Sequence, residues 1–78
     1  MYYTYILLLS NGDNYVGHTD NLKQRLKYHQ DGKVIETKGF RPVTLIFYAA
    51  FKSEIKAIKF EKYLKSSSGH AFRTKRLI

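Results

Sequence analysis

A chain of 78 residues supports one domain around one small core, so each polar side chain turned inward has to find a partner. With no cysteine there is neither a disulfide framework nor a cysteine-ligated metal site, and the apolar run YILLL is too short for a membrane span and lacks the flanks of a signal peptide. The missing cysteines and targeting segment give the expectation of a soluble, cytoplasmic protein. Fourteen Lys and Arg against six Asp and Glu leave +8, which reads either as a polyanionic partner, nucleic acid or an anionic membrane surface, or as a merely solvated surface.

Residues 2–9, YYTYILLL, are rich in aromatic and branched side chains and read as a strand. SNGD at 10–13 is a hairpin turn, and NYVGH at 14–18 is the returning strand. TDN at 19–21 offers N-cap residues for a helix that runs to about Gly32. The stretch KVIETKGFRP reads as a loop closed by Pro42, and VTLIFYAAF at 43–51 as a buried strand. Ser53 caps a second helix to about Leu64, and SSSG introduces a short basic helix, HAFRTKRLI. There is no repeat, low-complexity tract or linker, so residues 1–78 are expected to form one unit. Its basic residues are distributed along the chain and not gathered in a tail, which favours a charged face of the folded domain.

Helical spacing raises a question about the polar residues. Leu22, Arg25, Leu26 and His29 follow an i, i+3, i+4, i+7 pattern, so Arg25 and His29 share the stripe that packs on the sheet. In the next helix Ala57, Phe60, Glu61 and Leu64 do the same, while Lys56, Lys59, Lys62 and Lys65 point elsewhere. A carboxylate in an apolar stripe needs a positive partner. Two are open: an ion pair with Arg25 or a lysine, or a hard divalent cation completed by waters and substrate phosphate oxygens. With a cation on Glu61, the planar fork of Arg25 would hold a phosphate. The histidines have no zinc-type spacing, so His29 reads as a phosphate-site or proton-transfer group, His18 as a phosphate contact and His70 as surface.

Tyr5 and Tyr15 face each other across the turn. For both to lie on one face of the sheet, paired residue numbers must have an even sum, so a three-residue loop such as Asn11–Asp13, or a bulge, is expected. Gly17, two residues after Tyr15, permits close approach of backbone or ligand. In the loop, Lys38 and Arg41 beside Gly39 are either DNA contacts or merely solvated charges.

These residues resemble the GIY-YIG nuclease superfamily. Tyr3-Thr4-Tyr5 is a degenerate first triplet, without the glycine and isoleucine, and Tyr15-Val16-Gly17 is a closer second one, with Arg25 ten residues after Tyr15. TDNLKQRLKYH is similar to the family's first helix, TKGFRPVTLIFY to the loop and strand of its small bacterial members, and AIKFEKYLKSSSG to the helix with the metal-binding glutamate. The chain departs from some relatives in having His18 where they place a lysine and no Asn after Asn21. The resemblance implies phosphodiester hydrolysis at a one-metal site. Tyr15 would be the general base or its relay, Tyr5 would orient water and phosphate, and Arg25 would stabilise phosphate charge. His29 would assist proton transfer, Gly17 would admit the scissile strand, and Glu61 would hold Mg²⁺ or Mn²⁺. A nearby cation and guanidinium would favour the phenolate.

The combined expectation is an α/β (α+β) domain with a small three-stranded antiparallel sheet flanked by helices, in the order β-β-α-β-α-α. Its expected function is metal-dependent DNA endonuclease activity on duplex or branched DNA, in repair or recombination, with no membrane role. The alternative is a non-catalytic basic nucleic-acid-binding module. No appended DNA-binding domain is expected, so target choice would rest on the domain's own surface or on a protein partner.

Overall fold

The computed structural model describes residues 1–76. In chain order its elements are β1 (Tyr2–Leu8), β2 (Asn14–Thr19), α1 (Leu22–Gln30), α2 (Ile35–Lys38), β3 (Thr44–Phe51), α3 (Glu54–Lys65) and α4 (Ser67–Arg76). The strands form an antiparallel sheet in the order β2-β1-β3, so β1 is central and both of its faces are covered. The expected sheet, flanking helices and element order are present, with one helical turn, α2, added inside the expected loop.

Alternation along β1 sends its side chains into two separate cores. Tyr5 and Leu7, with Leu9 and Val43, pack beneath Leu22 and Leu26 of α1. Ile6 packs with Val16 on the other face against Leu64 and Phe60 of α3. The register between β1 and β3 shifts after Ile6: Ile6 faces Phe47, Leu7 faces Leu45, and Ile46 is the extra residue of a bulge. Ile46 and Phe47 therefore both reach the α3-side core. Thr4, fully buried on that face, donates its hydroxyl to the Ala57 carbonyl at 2.7 Å and ties β1 to α3.

The helix signals in the sequence correspond to physical caps. Asn21 accepts from the Gln24 N–H at 3.1 Å and Ser53 from the Lys56 N–H at 3.3 Å. Helix α1 ends in a Schellman arrangement, with the Lys33 N–H on the Tyr28 carbonyl (2.9 Å) and the Gly32 N–H on the His29 carbonyl (3.2 Å). Gly32 has φ +77°, and a Cβ there would also lie 2.8 Å from the Arg41 guanidinium. This reversal starts α2. The SSSG break between the last two helices is shorter than it reads: Ser66 alone is extended, donating to the Tyr63 carbonyl (2.6 Å) and accepting from the Gly69 N–H (3.1 Å). Helix α4 thus begins at Ser67, three residues before the expected start, because one serine closes one helix and opens the next. Leu77 and Ile78, assigned to that helix on sequence grounds, lie outside the described residues.

Among the described residues no helix is long and apolar enough to cross a membrane.

Candidate active site

The hairpin brings the two tyrosines together. Tyr5 pairs with Gly17 and Leu7 with Tyr15, an even sum, and the two phenol rings lie on the α1 face with centroids 6.4 Å apart. The odd loop is Ser10–Gly12, one residue earlier than expected, closed by the Leu9 N–H on the Asp13 carbonyl at 2.8 Å. Gly17 has a steric role here: a Cβ would sit 2.6 Å from the Tyr5 hydroxyl and 3.1 Å from the Tyr15 ring. Only a glycine lets the Tyr5 phenol lie across β2.

Helix α1 supplies the groups around that phenol. Leu22 and Leu26 fix the helix on the sheet, and the same stripe carries Arg25 and His29 inward. His29 is fully buried. Its Nδ1 lies 2.7 Å from the Thr37 hydroxyl, which has the Val34 carbonyl 3.5 Å away as its own acceptor. The hydrogen-bond network therefore assigns the proton to Nδ1 and leaves Nε2 to accept from the Tyr5 hydroxyl at 2.9 Å. Burial, and then the Arg25 charge, lower the His29 pKa to about 4, so the ring is a neutral acceptor near pH 7.

Arg25 Nε donates to the Tyr5 oxygen at 3.4 Å. Burial raises the Tyr5 pKa, and the Arg25 hydrogen bond opposes that rise without cancelling it. Tyr15 behaves alike: burial and then Glu36 raise it, and Arg25 lowers it. The guanidinium acts in the expected direction on both phenols, but desolvation is the larger effect. Tyr15 donates to Glu36 Oε1 at 3.4 Å. Each phenol thus donates its proton to an acceptor, Tyr5 to His29 Nε2 and Tyr15 to Glu36 Oε1, which fixes the direction of each hydroxyl.

Glu61 approaches from the other face. His18 pairs with Thr4, on the α3 side of the sheet, and its Nδ1 meets Glu61 Oε1. Lys65 Nζ lies 2.5 Å from Glu61 Oε2, one helical turn on. Of the two ion-pair partners open for Glu61, the lysine is realised; Arg25 is directed to Tyr5 instead. Burial alone would raise the Glu61 carboxyl, but the hydrogen bonds and charges of Lys65 and His18 outweigh it and hold the pKa below the usual carboxylate value. The Glu61 charge raises Tyr5 and the Lys65 charge lowers Tyr15, so the two groups act on each other around the β2 edge.

As a cation ligand, Glu61 offers an ionised carboxylate, 14% exposed, as a single-carboxylate site requires. Its oxygens are shared with Lys65 (53% exposed) and His18 (38%), so an incoming cation displaces or shares one of them. The long Lys65 side chain can swing outward, and the residues fit a divalent ion on that condition. Among the described residues no group of three His, Asp or Glu converges on a metal position.

The loop residues divide. Arg41 donates to the Lys38 carbonyl (3.1 Å) and the Gln30 carbonyl (3.3 Å), closing the C-terminal ends of α1 and α2, while the Lys38 side chain is exposed. Sequence reasoning missed Glu36 and Thr37. Both lie on α2, a four-residue turn too short to show a helical period.

The GIY-YIG catalytic domain, as a sequence family, matches residues 1–75. A UPF0213 protein of Bacillus licheniformis is 37% identical over 68 residues, covering 86% of this chain and 70% of its own length. A UPF0213 protein of Lacticaseibacillus paracasei is 36% identical over 70 residues, covering 88% and 79%. The solution NMR structure of a UPF0213 protein from Bacillus halodurans superposes with a TM-score of 0.60 at 30% identity, covering 99% of this chain and 87% of that one. The match over residues 1–75, together with these relatives, shows that the chain belongs to the GIY-YIG catalytic domain family.

Proposed function

We propose that this protein is a divalent-metal-dependent endonuclease that hydrolyses phosphodiester bonds in duplex or branched DNA, in repair or recombination, with targeting by its own surface or a protein partner. The observation that carries the reading is the chain of hydrogen bonds from Arg25 through Tyr5 to a buried, neutral His29. Such a chain polarises the phenol and fixes the direction of its oxygen, with His29 as a neutral acceptor on one side and the Arg25 charge on the other. Arg25 binds the scissile phosphate and stabilises charge developing on it. Tyr15 takes the proton of the attacking water as its own hydroxyl proton passes to Glu36, and Tyr5 orients that water. Gly17 admits the strand, with His18, Lys38 and Arg41 contributing contacts. Glu61 holds Mg²⁺ or Mn²⁺, which when bound supplies Lewis-acid stabilisation of the phosphate.

The engagement of both Glu61 oxygens by Lys65 and His18 favours a second reading, a basic nucleic-acid-binding module without turnover. Incubating supercoiled plasmid with the purified chain and Mg²⁺ or Mn²⁺, against an EDTA control, separates the two. Nicked circles that disappear with EDTA support the endonuclease. Retarded but intact plasmid under both divalent ions supports the binding module.

A further inference from the structure

The net charge is unevenly placed. Residues 52–76 carry eight Lys or Arg against Glu54 and Glu61, which is +6 of the total +8. The first 51 residues carry six Lys or Arg against four Asp or Glu and are close to neutral. The polycationic part of the chain is therefore the α3–α4 unit, not the loop that carries Lys38 and Arg41.

On α3 the cations have an order. Lys56, Lys59, Lys62 and Lys65 are all exposed and recur every three residues. At 3.6 residues per turn, each such step moves the next side chain about 60° back around the axis. Phe60, against Phe47 and Phe51, marks the β3 flank of the helix, and Glu61, against His18, marks the β2 flank. Lys56 lies one turn before Phe60, on the β3 flank, and Lys65 lies one turn after Glu61, on the β2 flank. Lys59 and Lys62 cross the solvent side between them. The ion pairs among the described residues involve His18, Lys27 and Lys65, so Lys56, Lys59 and Lys62 have no carboxylate neutralising them. Successive members of an i, i+3 row stand about 5–6 Å apart, a continuous row of positive charge.

We infer that this diagonal lysine ridge is the surface on which the phosphate backbone of a DNA strand lies, crossing α3 from the β3 flank and reaching the candidate site beside Glu61. The inference rests on the nucleic-acid reading above and adds where the strand runs. Charge complementarity identifies the occupant: a repeating row of cations, spared by acidic neighbours and ending at the site, matches a polyanion with a repeating backbone. Lys65 belongs to both features, as the last cation of the ridge and a partner of Glu61.

The test is fluorescence anisotropy of a labelled DNA duplex over a range of salt, with the native chain, the triple variant Lys56→Gln/Lys59→Gln/Lys62→Gln, and the control Lys23→Gln/Lys27→Gln/Lys33→Gln. Both variants lose the same charge at exposed lysines, with Lys33 lying over the Tyr28 ring. Each phosphate contact contributes about 0.9 to the slope of log K against log[salt], so the ridge variant should lose about 2.7 of slope and the control far less. An unchanged slope in the ridge variant, or equal losses in both variants, overturns the inference while leaving the nucleic-acid reading intact. A native chain that binds no DNA overturns both. Circular dichroism of each variant confirms that a change in slope is not a change in folding.

Discussion

Tyr5 Oη and His29 Nε2 lie 2.9 Å apart in a site where both side chains are almost completely buried. Removing the hydroxyl leaves the imidazole nitrogen and the Arg25 Nε without this shared partner. Tyr5→Phe should therefore lower stability by about 1–3 kcal/mol, the usual cost of an unsatisfied buried polar group. Urea titration should show a lower midpoint with an unchanged m-value.

His29 makes a pH prediction. Its pKa is lowered in the folded chain to about 4 from an ordinary 6.5, so the unfolded state takes up its proton first. The stability this neutral ring provides is intact above about pH 6.5 and is lost progressively as the pH falls toward 4. Urea midpoints measured from pH 7 to pH 4.5 should fall with acid. In His29→Gln, which has no proton to gain there, the fall should be smaller.

Glu36 is the base that Tyr15 points to. The Glu36 charge is one cause of the raised Tyr15 pKa, so Glu36→Gln should bring the Tyr15 titration down in a tyrosinate absorbance measurement. If Glu36 is the proton's destination, the same variant should reduce nicking by about 10²-fold with little change in DNA affinity. A normal rate would return Glu36 to a structural role.

Gly17→Ala puts a methyl group 2.6 Å from the Tyr5 hydroxyl, and the phenol must move. A shift of this size in a positioned group is expected to cost about 10²-fold in rate. The strain is expected to cost about 1–3 kcal/mol in stability. Chemical-shift changes confined to Tyr5, Tyr15 and His29 would confirm that the displacement is local.

Much of this arrangement can be read in the sequence because its geometry is local. The strand period together with the turn gives the parity of Tyr5 and Tyr15, and the helical period places Arg25, His29 and Glu61 inward. Asn21 and Ser53 are visible as caps because capping chemistry is short-range. The partners were harder. Glu61 has a turn-spaced lysine in Lys65, but its contact with His18 is 43 positions distant and depends on how α3 crosses β2. Glu36 and Thr37 become meaningful only once the Schellman turn at Gly32 folds α2 back over α1. The lysines of α3 are evident in the sequence, yet that their row ends beside Glu61, at Lys65, appears only when one flank of the helix is known to face β2.

Glu61→Ala is the most direct test of the site as a metal-dependent nuclease, measured as plasmid nicking with Mn²⁺ or Mg²⁺ alongside DNA affinity on the same folded preparation. The carboxylate positions the cation and adds no attraction for a polyanion, so nicking should disappear while affinity is retained or slightly increased. Arg25→Ala, run in parallel, should lose both, because it contacts phosphate and stabilises developing charge. Tyr15→Phe should lose turnover and keep affinity. A folded Glu61→Ala chain that nicks DNA at the native rate with divalent ions would contradict the metal assignment, leaving Glu61 as the structural partner of Lys65 and His18.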